Sequence, residues 1–171
     1  MTQVANSDMI QESTCPAGGF PLLWTAFSLV PTALIEDENP DLWLNFLRDR
    51  VPHDQVISSI VFEEHKVVCL YESKGKQEHA IPYLISRACA REEANKVFAI
   101  REGDRLGIVC FRENKLLLGN IFEASTKEQA LYWILKIYEQ LELDKSTPIY
   151  IRCGDGTRKL LLAHLDAQQL D

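Results

Sequence analysis

Three residues near the C-terminus, Gly154-Asp155-Gly156, have types and spacing that suit the binding of an anion. They follow an apolar run over residues 148–153, which favours a strand, and they precede a leucine-rich helical pattern. Glycine lets backbone N–H groups approach a phosphate because it has no Cβ, and a helix N-terminus favours negative charge. The alternative is a purely structural turn, since a connection from strand to helix commonly needs glycine.

A second set of residues, Asp104, Glu128 and Asp155, offers carboxylates that could hold metal ions. Nucleases that use two metals need several carboxylates around ions about 3.5–4 Å apart. Asp104 stands before the predicted strand over 106–111, and that strand contains no acidic residue. Solvated acids in turns and helix caps explain the three residues better, so we expect neither a metal site nor metal-dependent cleavage.

Cysteine and histidine residues form no recognisable ligand or catalytic pattern. The cysteines include no C-x-x-C pair, and the histidines are scattered without ligand spacing. Cys153 is the candidate for a lowered pKa because it precedes a predicted helix N-terminus, and a structural thiol is the alternative. Cys69 and Cys110 lie in apolar runs, which predicts buried, reduced thiols and favours a reducing compartment. The full sets are Cys15, Cys69, Cys89, Cys110 and Cys153, and His53, His65, His79 and His164.

Large aromatic residues indicate another kind of function, which is contact with a protein. Tyr132 and Trp133 are adjacent in a predicted helix, so at least one of the two rings should point away from its apolar face. Tyrosine and tryptophan are enriched among the residues that dominate binding energy at interfaces. Core packing is the alternative for most such residues, and Tyr132 and Trp133 are the interface candidates.

The composition is that of an ordinary globular protein of 171 residues, with 46% apolar and 25% charged residues. A net charge of −7 disfavours contact with phosphate backbones, so no nucleic acid partner is expected. The first residues lack the basic start and apolar run of a signal peptide. No stretch approaches the ~20 apolar residues that span a bilayer. We expect a cytoplasmic protein without a membrane span.

The N-terminal half is predicted to contain a tail and a shortened first lobe. Residues 1–19 are polar and end in proline and glycine, which predicts a flexible tail. The lobe over 20–96 is predicted to contain a strand over 22–30 that ends at Pro31, a helix that begins at Asp41, a hairpin of strands 56–62 and 66–71, and a helix over 86–96.

The C-terminal part, residues 97–171, is predicted to form a β-β-β-α-β-α lobe. It starts with a meander of three antiparallel strands over 97–101, 106–111 and 116–122, which are separated by short polar turns. A strand over 148–153 follows the long helix of this lobe. A meander, a crossover helix, a further strand and a last helix have the order of half an actin-like or ribonuclease H-like fold.

Capping residues mark the two helices of this part. Ser125 or Thr126 can cap the long helix, with Glu128 or Gln129 as the partner in a capping box. Its apolar residues repeat at helical spacing and predict that the helix stops near 143–144. Thr157 can cap the last helix.

Specific stretches of the chain, in this order, resemble a family of uncharacterised bacterial proteins, domain of unknown function 3822. The likeness covers most of the chain after Phe20 and is densest over 97–154. The matching stretches are Phe27-Ser28-Leu29-Val30-Pro31, Leu44-Asn45-Phe46 and residues 115–122, 126–135, 140–144 and 148–151.

The resemblance implies an α/β protein with the mixed sheet of an actin-like ATPase (ribonuclease H-like) fold. In such ATPases two hairpins with Asp-x-Gly turns hold the phosphates, and a later glycine turn leaves room for adenosine. Gly154-Asp155-Gly156 stands where that later turn is expected. The hairpin turns of this chain differ, because Asp104-Arg105-Leu106-Gly107 has two residues between Asp and Gly and Glu63-Glu64-His65-Lys66 has no glycine.

We therefore expect a non-catalytic scaffold or regulator that acts through protein contacts, with a protein partner or by self-association, and without a cofactor. The alternative is an actin-like nucleotide-binding protein that uses ATP with magnesium at Gly154, Asp155 and Gly156. A turn that opens onto a deep cleft would favour the alternative, and a turn on a convex surface would oppose it.

Overall fold

A computed structural model describes residues 22–37 and 56–170 of the chain. None of the helices in these ranges is long and apolar enough to cross a membrane. The strands are β1 (Phe27–Pro31), β2 (Val56–Phe62), β3 (Val67–Ser73), β4 (Lys96–Glu102), β5 (Arg105–Arg112), β6 (Lys115–Glu123), β7 (Ile149–Arg152) and β8 (Ala167–Gln169). The helices are α1 (Thr32–Asp37), α2 (Ala80–Cys89), α3 (Lys127–Gln140) and α4 (Asp155–Leu162), and a 3-10 turn spans Glu63–His65.

Five strands form the main sheet in the order β6-β5-β4-β7-β8. β4, β5 and β6 are antiparallel neighbours joined by tight turns, which confirms the predicted meander. β7 pairs in parallel with β4 because α3 first carries the chain across the sheet, and β8 pairs in parallel with β7 after α4. The predicted β-β-β-α-β-α order is confirmed, and β8 extends it.

The central strands of the main sheet are apolar on both faces. In β4, Val97 and Ala99 belong to the core under α3 and α4, whereas Phe98 and Ile100 belong to the core under α2. β5 and β7 alternate in the same way between the two cores. A strand buried on both sides is a continuous apolar run rather than an alternating one, so both faces must be covered.

The small sheet, in the order β1-β3-β2, covers the second face together with α2. Both of its strand pairs are antiparallel, and β3 is the central strand. Val67 and Cys69 of β3 share one core with α2 and the main sheet. The predicted hairpin of β2 and β3 is confirmed, and its 3-10 turn is followed by Lys66, whose φ of 51° is left-handed.

Two glycines let the N-terminal segment pack against the backbone of the main sheet. A Cβ on Gly107 of β5 would lie 3.0 Å from Cζ3 of Trp24, and a Cβ on Gly119 of β6 would overlap Cδ1 of Leu29. The indole Nε1 of Trp24 donates to Oε2 of Glu102 at 3.1 Å, which fixes the ring over β5. Because Gly107 and Gly119 have no side chain, β1 and the residues that precede it can lie close to the main sheet.

His79 links those preceding residues to α2. It is fully buried and caps the helix, because the N–H of Ile81 donates to its Nδ1 at 3.2 Å. Since Nδ1 accepts, Nε2 carries the proton and donates to the carbonyl oxygen of Thr25 at 3.1 Å. Burial lowers the pKa of His79, an effect that the Thr25 carbonyl and the Glu72 carboxylate oppose. His79 is therefore neutral in the folded protein at pH 7.

The prediction of a helix over 86–96 is wrong. The helix in this region is α2, which begins at Ala80 and ends at Cys89, and Lys96 belongs to β4. Pro82 argues against a helix over its first residues in the sequence. In the first turn of a helix, however, proline is tolerated, since the N–H that it lacks would have no partner inside the helix.

The start of the last helix also differs from the prediction. α4 begins at Asp155 with Gly154 as its N-cap, and Thr157 is buried in the first turn instead of capping it. The prediction for α3 is confirmed at its start, where Thr126 and Gln129 form the capping box. α3 ends a few residues before the predicted stop.

The predicted strand over 22–30 is too long. β1 starts at Phe27 and includes Pro31, which an edge strand tolerates. Leu23 instead exchanges backbone hydrogen bonds with Glu78 and Ala80. The sequence does not predict α1 or the short β8. The predicted tail over 1–19 and the helix that begins at Asp41 lie outside the described residues, and the division into tail and two lobes stays a prediction.

Lowering the pH should destabilise the protein through His79. The pKa of an unfolded histidine is about 6.5, and the pKa in the folded protein is lower, so the unfolded state takes up the proton first as the pH falls. The stability that neutral His79 contributes is complete above about pH 6.5. It is lost as the pH falls toward the folded pKa, by at most about 1.4 kcal/mol per pH unit.

The His79→Asn variant isolates this effect, because asparagine can still accept from Ile81 but does not titrate. Urea denaturation of both proteins between about pH 5 and 8 should show an additional loss of stability in the wild type alone. Parallel stability profiles for the two proteins would contradict the assignment.

Gly119→Ala should lower the free energy of unfolding by about 1–3 kcal/mol, because its Cβ forces Leu29 or β1 to move. Gly156→Ala is the matched control, since the nearest atom to its Cβ would be Cδ of Lys127 at 3.9 Å. In a helix alanine is better than glycine by up to about 1 kcal/mol, so this variant should be neutral or stabilised. Equal unfolding curves for the two variants would refute the close contact at Gly119.

Candidate functional sites

The predicted anion-binding turn lies at the edge of the main sheet where the parallel strands β4 and β7 end. The carbonyl oxygen of Gly154 accepts from the N–H groups of Thr157 at 3.0 Å and Arg158 at 3.2 Å. Asp155 and Gly156 are exposed in the first turn of α4. Ligands of α/β proteins bind outside the carboxyl ends of parallel strands, so this is the edge at which a nucleotide would be expected.

Arg101 joins the start of α3 to the start of α4 at the same edge. Its Nε and Nη2 donate to the carbonyl oxygens of Ala124 at 3.2 Å and Ser125 at 3.0 Å. Its Nη1 donates to Oγ1 of Thr157 at 3.3 Å. Nearby, Nε of Arg158 is buried and has no hydrogen-bond partner among the described residues. The guanidinium of Arg101 thus connects parts of the protein to one another, whereas the Nε–H group of Arg158 remains available as a donor.

Several features of this arrangement disfavour a magnesium-bound triphosphate. Three of the N–H groups of Arg101 donate to protein oxygens, and Asp155 brings a negative charge to the helix start, where a phosphate would bind. Glu102 is engaged as well, because its Oε1 accepts from Nη2 of Arg152 at 2.9 Å. The Gly154-Asp155-Gly156 turn lines neither of the two cavities described below.

The carboxylates of Asp104, Glu128 and Asp155 do not gather into a metal site. Asp104 lies 3.6 Å from Nε of Arg105, and Glu128 lies 3.8 Å from Nζ of Lys127, with all four side chains exposed. Among the described residues, the group whose ligand atoms lie close enough to share an ion is a different one. This placement agrees with the expectation of solvated turn and cap acids.

The hypothesis of a lowered pKa at Cys153 is wrong. Burial raises the pKa of this thiol to about 11, although the guanidinium groups of Arg101 and Arg158 act in the opposite direction. Cys69 and Cys110 are buried as predicted, and burial raises the pKa of each to about 12. A thiol with a raised pKa is a poor nucleophile, so these three cysteines pack as small apolar residues.

Tyr132 and Trp133 have different environments. Nε1 of Trp133 donates to the carbonyl oxygen of Glu123 at 3.1 Å, and its ring stacks on Phe122 with 4.7 Å between the ring centroids. Tyr132 is 57% exposed, and its ring packs edge-to-face with that of Trp133, with 5.2 Å between the ring centroids. Tyr132 is the residue of the pair that a partner can reach, and Trp133 supports it from below.

A groove of about 520 Å³ runs beside Tyr132 along the outer side of α3. Its floor is mainly apolar, and it carries charges of both signs. Nζ of Lys136 and Oε2 of Glu139 form an ion pair at 2.8 Å, which raises the pKa of Lys136 and lowers that of Glu139. The lining residues are Tyr132, Leu135, Lys136, Tyr138, Glu139, Leu143, Lys145 and Leu165.

Near the opposite end of the main-sheet strands, where β4 begins, a cluster of possible metal ligands is formed by Glu64, His65 and Cys89. One ligand atom from each lies within 4.8 Å of the other two. Glu64 and His65 are in the 3-10 turn between β2 and β3, and Cys89 is the last residue of α2. Nδ1 of His65 lies 2.9 Å from the carbonyl oxygen of Asn114, and Nε2 is buried without a partner among the described residues.

A cavity of about 590 Å³ borders this cluster. Burial raises the pKa of Cys89 and the Glu64 carboxylate adds to the rise, whereas the Lys96 ammonium opposes it. Burial also lowers the pKa of Lys96, whose Nζ donates to the carbonyl oxygen of Arg91 at 2.6 Å. The cavity is lined by Glu64, His65, Cys89, Ala90, Arg91, Glu92, Lys96 and Asn114.

The sequence does not predict this cluster. Glu64 and His65 are adjacent, but Cys89 lies far along the chain at a spacing that matches no ligand motif. The only local signal is a histidine beside an acid in a turn between two apolar strands. Packing of α2 against the small sheet brings the three residues together.

Comparisons with known proteins agree with the fold. A family model described as "Protein of unknown function (DUF3822)" matches residues 70–165. A crystal structure from Bacteroides thetaiotaomicron VPI-5482, of a protein with actin-like ATPase fold and unknown function, is similar with a TM-score of 0.61 and 18% identity. The match covers 80% of this chain and 60% of that one, so this chain spans about 60% of its length. No curated protein matches. The expected family resemblance and actin-like α/β fold are confirmed.

Proposed function

The chain belongs to the family of proteins of unknown function DUF3822, and we propose that it is a non-catalytic scaffold or regulator that acts through contact with a second copy of itself. The observation that carries the proposal is the exposed ring of Tyr132 beside the groove of α3. Tyrosine is enriched among the residues that dominate interface energies. Because Trp133 already supports the ring, contact costs little additional ordering.

A twofold interface must be self-complementary, and the residues of α3 and the loop after it can meet this requirement. Their surface presents a protruding ring at Tyr132 and an apolar depression that includes Leu143. It also presents Lys136 and Glu139 three positions apart. In an antiparallel pair of α3 helices, a twofold axis between these two positions sets Lys136 opposite Glu139 of the partner subunit. The same axis directs Tyr132 toward the partner's Leu143.

Other features support a role without cofactor or nucleic acid. At the edge where a nucleotide would bind, three of the N–H groups of Arg101 donate to protein oxygens. A net charge of −7 disfavours contact with nucleic acid. We also propose a cytoplasmic location, because Cys69, Cys89, Cys110 and Cys153 are free thiols of the kind that persist in a reducing compartment.

Sedimentation velocity over a series of concentrations should show a reversible equilibrium of monomer and dimer. Tyr132→Ala should raise the dissociation constant about 30-fold, which corresponds to the loss of a hot spot of about 2 kcal/mol. Its unfolding midpoint should stay close to wild type, because the side chain is exposed. Val61→Ala, on an exposed apolar residue of β2 in the small sheet, is the matched control and should dimerise normally.

Charge reversal tests the register of the same interface. Lys136→Glu and Glu139→Lys should each weaken the dimer, because like charges then face each other across the twofold axis. The double variant should recover dimerisation, since the opposite charges are again paired. A monomer at every concentration, or a dimer that survives Tyr132→Ala, would overturn the proposal.

Nucleotide binding is the second candidate function, favoured by the position of Gly154-Asp155-Gly156 and by the free donor of Arg158. We expect no change in melting temperature with millimolar ATP and magnesium, with AMP and GTP as controls. A ligand at about 100 times its Kd adds about 2.7 kcal/mol of stability, which is roughly 5–10 °C for a protein of this size. A saturable rise of that size, lost in Arg158→Gln, would establish nucleotide binding instead.

A further inference from the structure

We propose that Glu64, His65 and Cys89 bind a zinc ion that links the β2–β3 turn to the end of α2. Their ligand atoms already lie within 4.8 Å of one another. Bonds of about 2.0–2.3 Å to a tetrahedral zinc ion place ligand atoms roughly 3.3–3.8 Å apart. Glu64 and Cys89 are exposed, so rotations of their side chains can close the difference without moving the backbone.

The hydrogen bonding of His65 suits a metal ligand. A carbonyl oxygen can only accept, so Nδ1 of His65 donates to Asn114 at 2.9 Å and Nε2 is left with the lone pair. Metal-bound histidines commonly donate their other ring nitrogen to a carbonyl in this way, which fixes the tautomer and the ring. Contact with Phe111, 4.7 Å between ring centroids, holds the ring further. A metal would satisfy Nε2, which is buried without a partner among the described residues.

The charges around the cluster also favour a cation. Cys89 ends α2, and the carbonyl groups at a helix C-terminus attract positive charge. Glu64 and a Cys89 thiolate would bring two negative charges to a divalent ion. The guanidinium of Arg91 on the cavity wall is directed elsewhere, 4.6 Å from the ring centroid of Tyr150. Nζ of Lys96 donates to a backbone carbonyl, although its ammonium still acts on Cys89 and Glu64.

The mixture of donors selects zinc. One nitrogen, one sulfur and one oxygen suit a borderline ion, whereas magnesium and calcium require oxygen ligands. Three protein ligands leave the fourth position open toward the cavity, where a water molecule completes the tetrahedron. The ion would link the small sheet to α2. The carbonyl oxygen of Asn114 in the β5–β6 turn would orient His65, which is one of its ligands.

The test uses the whole 171-residue chain, stripped of metal by a chelator and then titrated with Zn²⁺ in competition with a chromophoric chelator. The wild type should bind one zinc ion. Cys89→Ser and His65→Gln should weaken binding by at least about 100-fold, since loss of even an outer partner of a ligand costs about 10–100-fold. Titration with Co²⁺ should produce a thiolate-to-cobalt charge-transfer band in the wild type that is absent in Cys89→Ser.

Two variants control for weaker sites on the same chain. Glu92→Gln alters another acid on the wall of the same cavity, and His164→Gln alters an exposed histidine elsewhere. Both should bind zinc like the wild type. Zinc should also raise the melting temperature of the wild type but not of Cys89→Ser, whose exposed position leaves folding intact. Equal affinity of the wild type and Cys89→Ser, or a cobalt complex without the thiolate band, would overturn the proposal.

Discussion

The described fold depends on the close approach of the N-terminal segment to the main sheet, which two glycines permit. A side chain at Gly107 or Gly119 would hold Trp24 or Leu29 away from the sheet. Glu102 reinforces the contact, because its carboxylate accepts from both Trp24 and an arginine of β7. The central strands are apolar on both faces, so without this cover one face would remain in water. The approach therefore lets the small sheet and α2 share a single core with the main sheet.

The same packing decides which residues meet at each edge of the main sheet. Where β4 and β7 end, Arg101 bonds to the starts of α3 and α4, so its positive charge is used within the fold. At the other edge His65, which follows β2 of the small sheet, lies close to the end of α2. The carbonyl oxygen of Asn114 in the β5–β6 turn orients the His65 ring. The Gly154-Asp155-Gly156 turn and the candidate metal ligands thus lie at different edges of the main sheet. Function has to be argued from such sites, because a fold hosts many chemistries.

Much of the fold could be predicted where the signal is local. The meander of β4, β5 and β6 follows from apolar runs separated by polar turns, and the start of α3 follows from Thr126 and Gln129. The prediction failed at α2, where Pro82 argues for a break although its position in the first turn costs no hydrogen bond. Helical periodicity predicted only that at least one of the rings of Tyr132 and Trp133 points away from the apolar face. The packing of β6 against α3 decided the rest, because it lets Trp133 donate to the carbonyl oxygen of Glu123 and leaves Tyr132 exposed.

Turns, caps, apolar runs and helical periodicity act between positions a few residues apart, and they were sufficient to predict the order of most elements and the α/β class. The contacts that give the candidate sites their chemistry act between distant positions. Cys89 meets His65, and Trp24 lies over Gly107, only because two sheets and a helix pack around one core. No local pattern relates such pairs, since their proximity follows from burying both faces of a sheet. The tertiary structure alone therefore decided which side chains face one another.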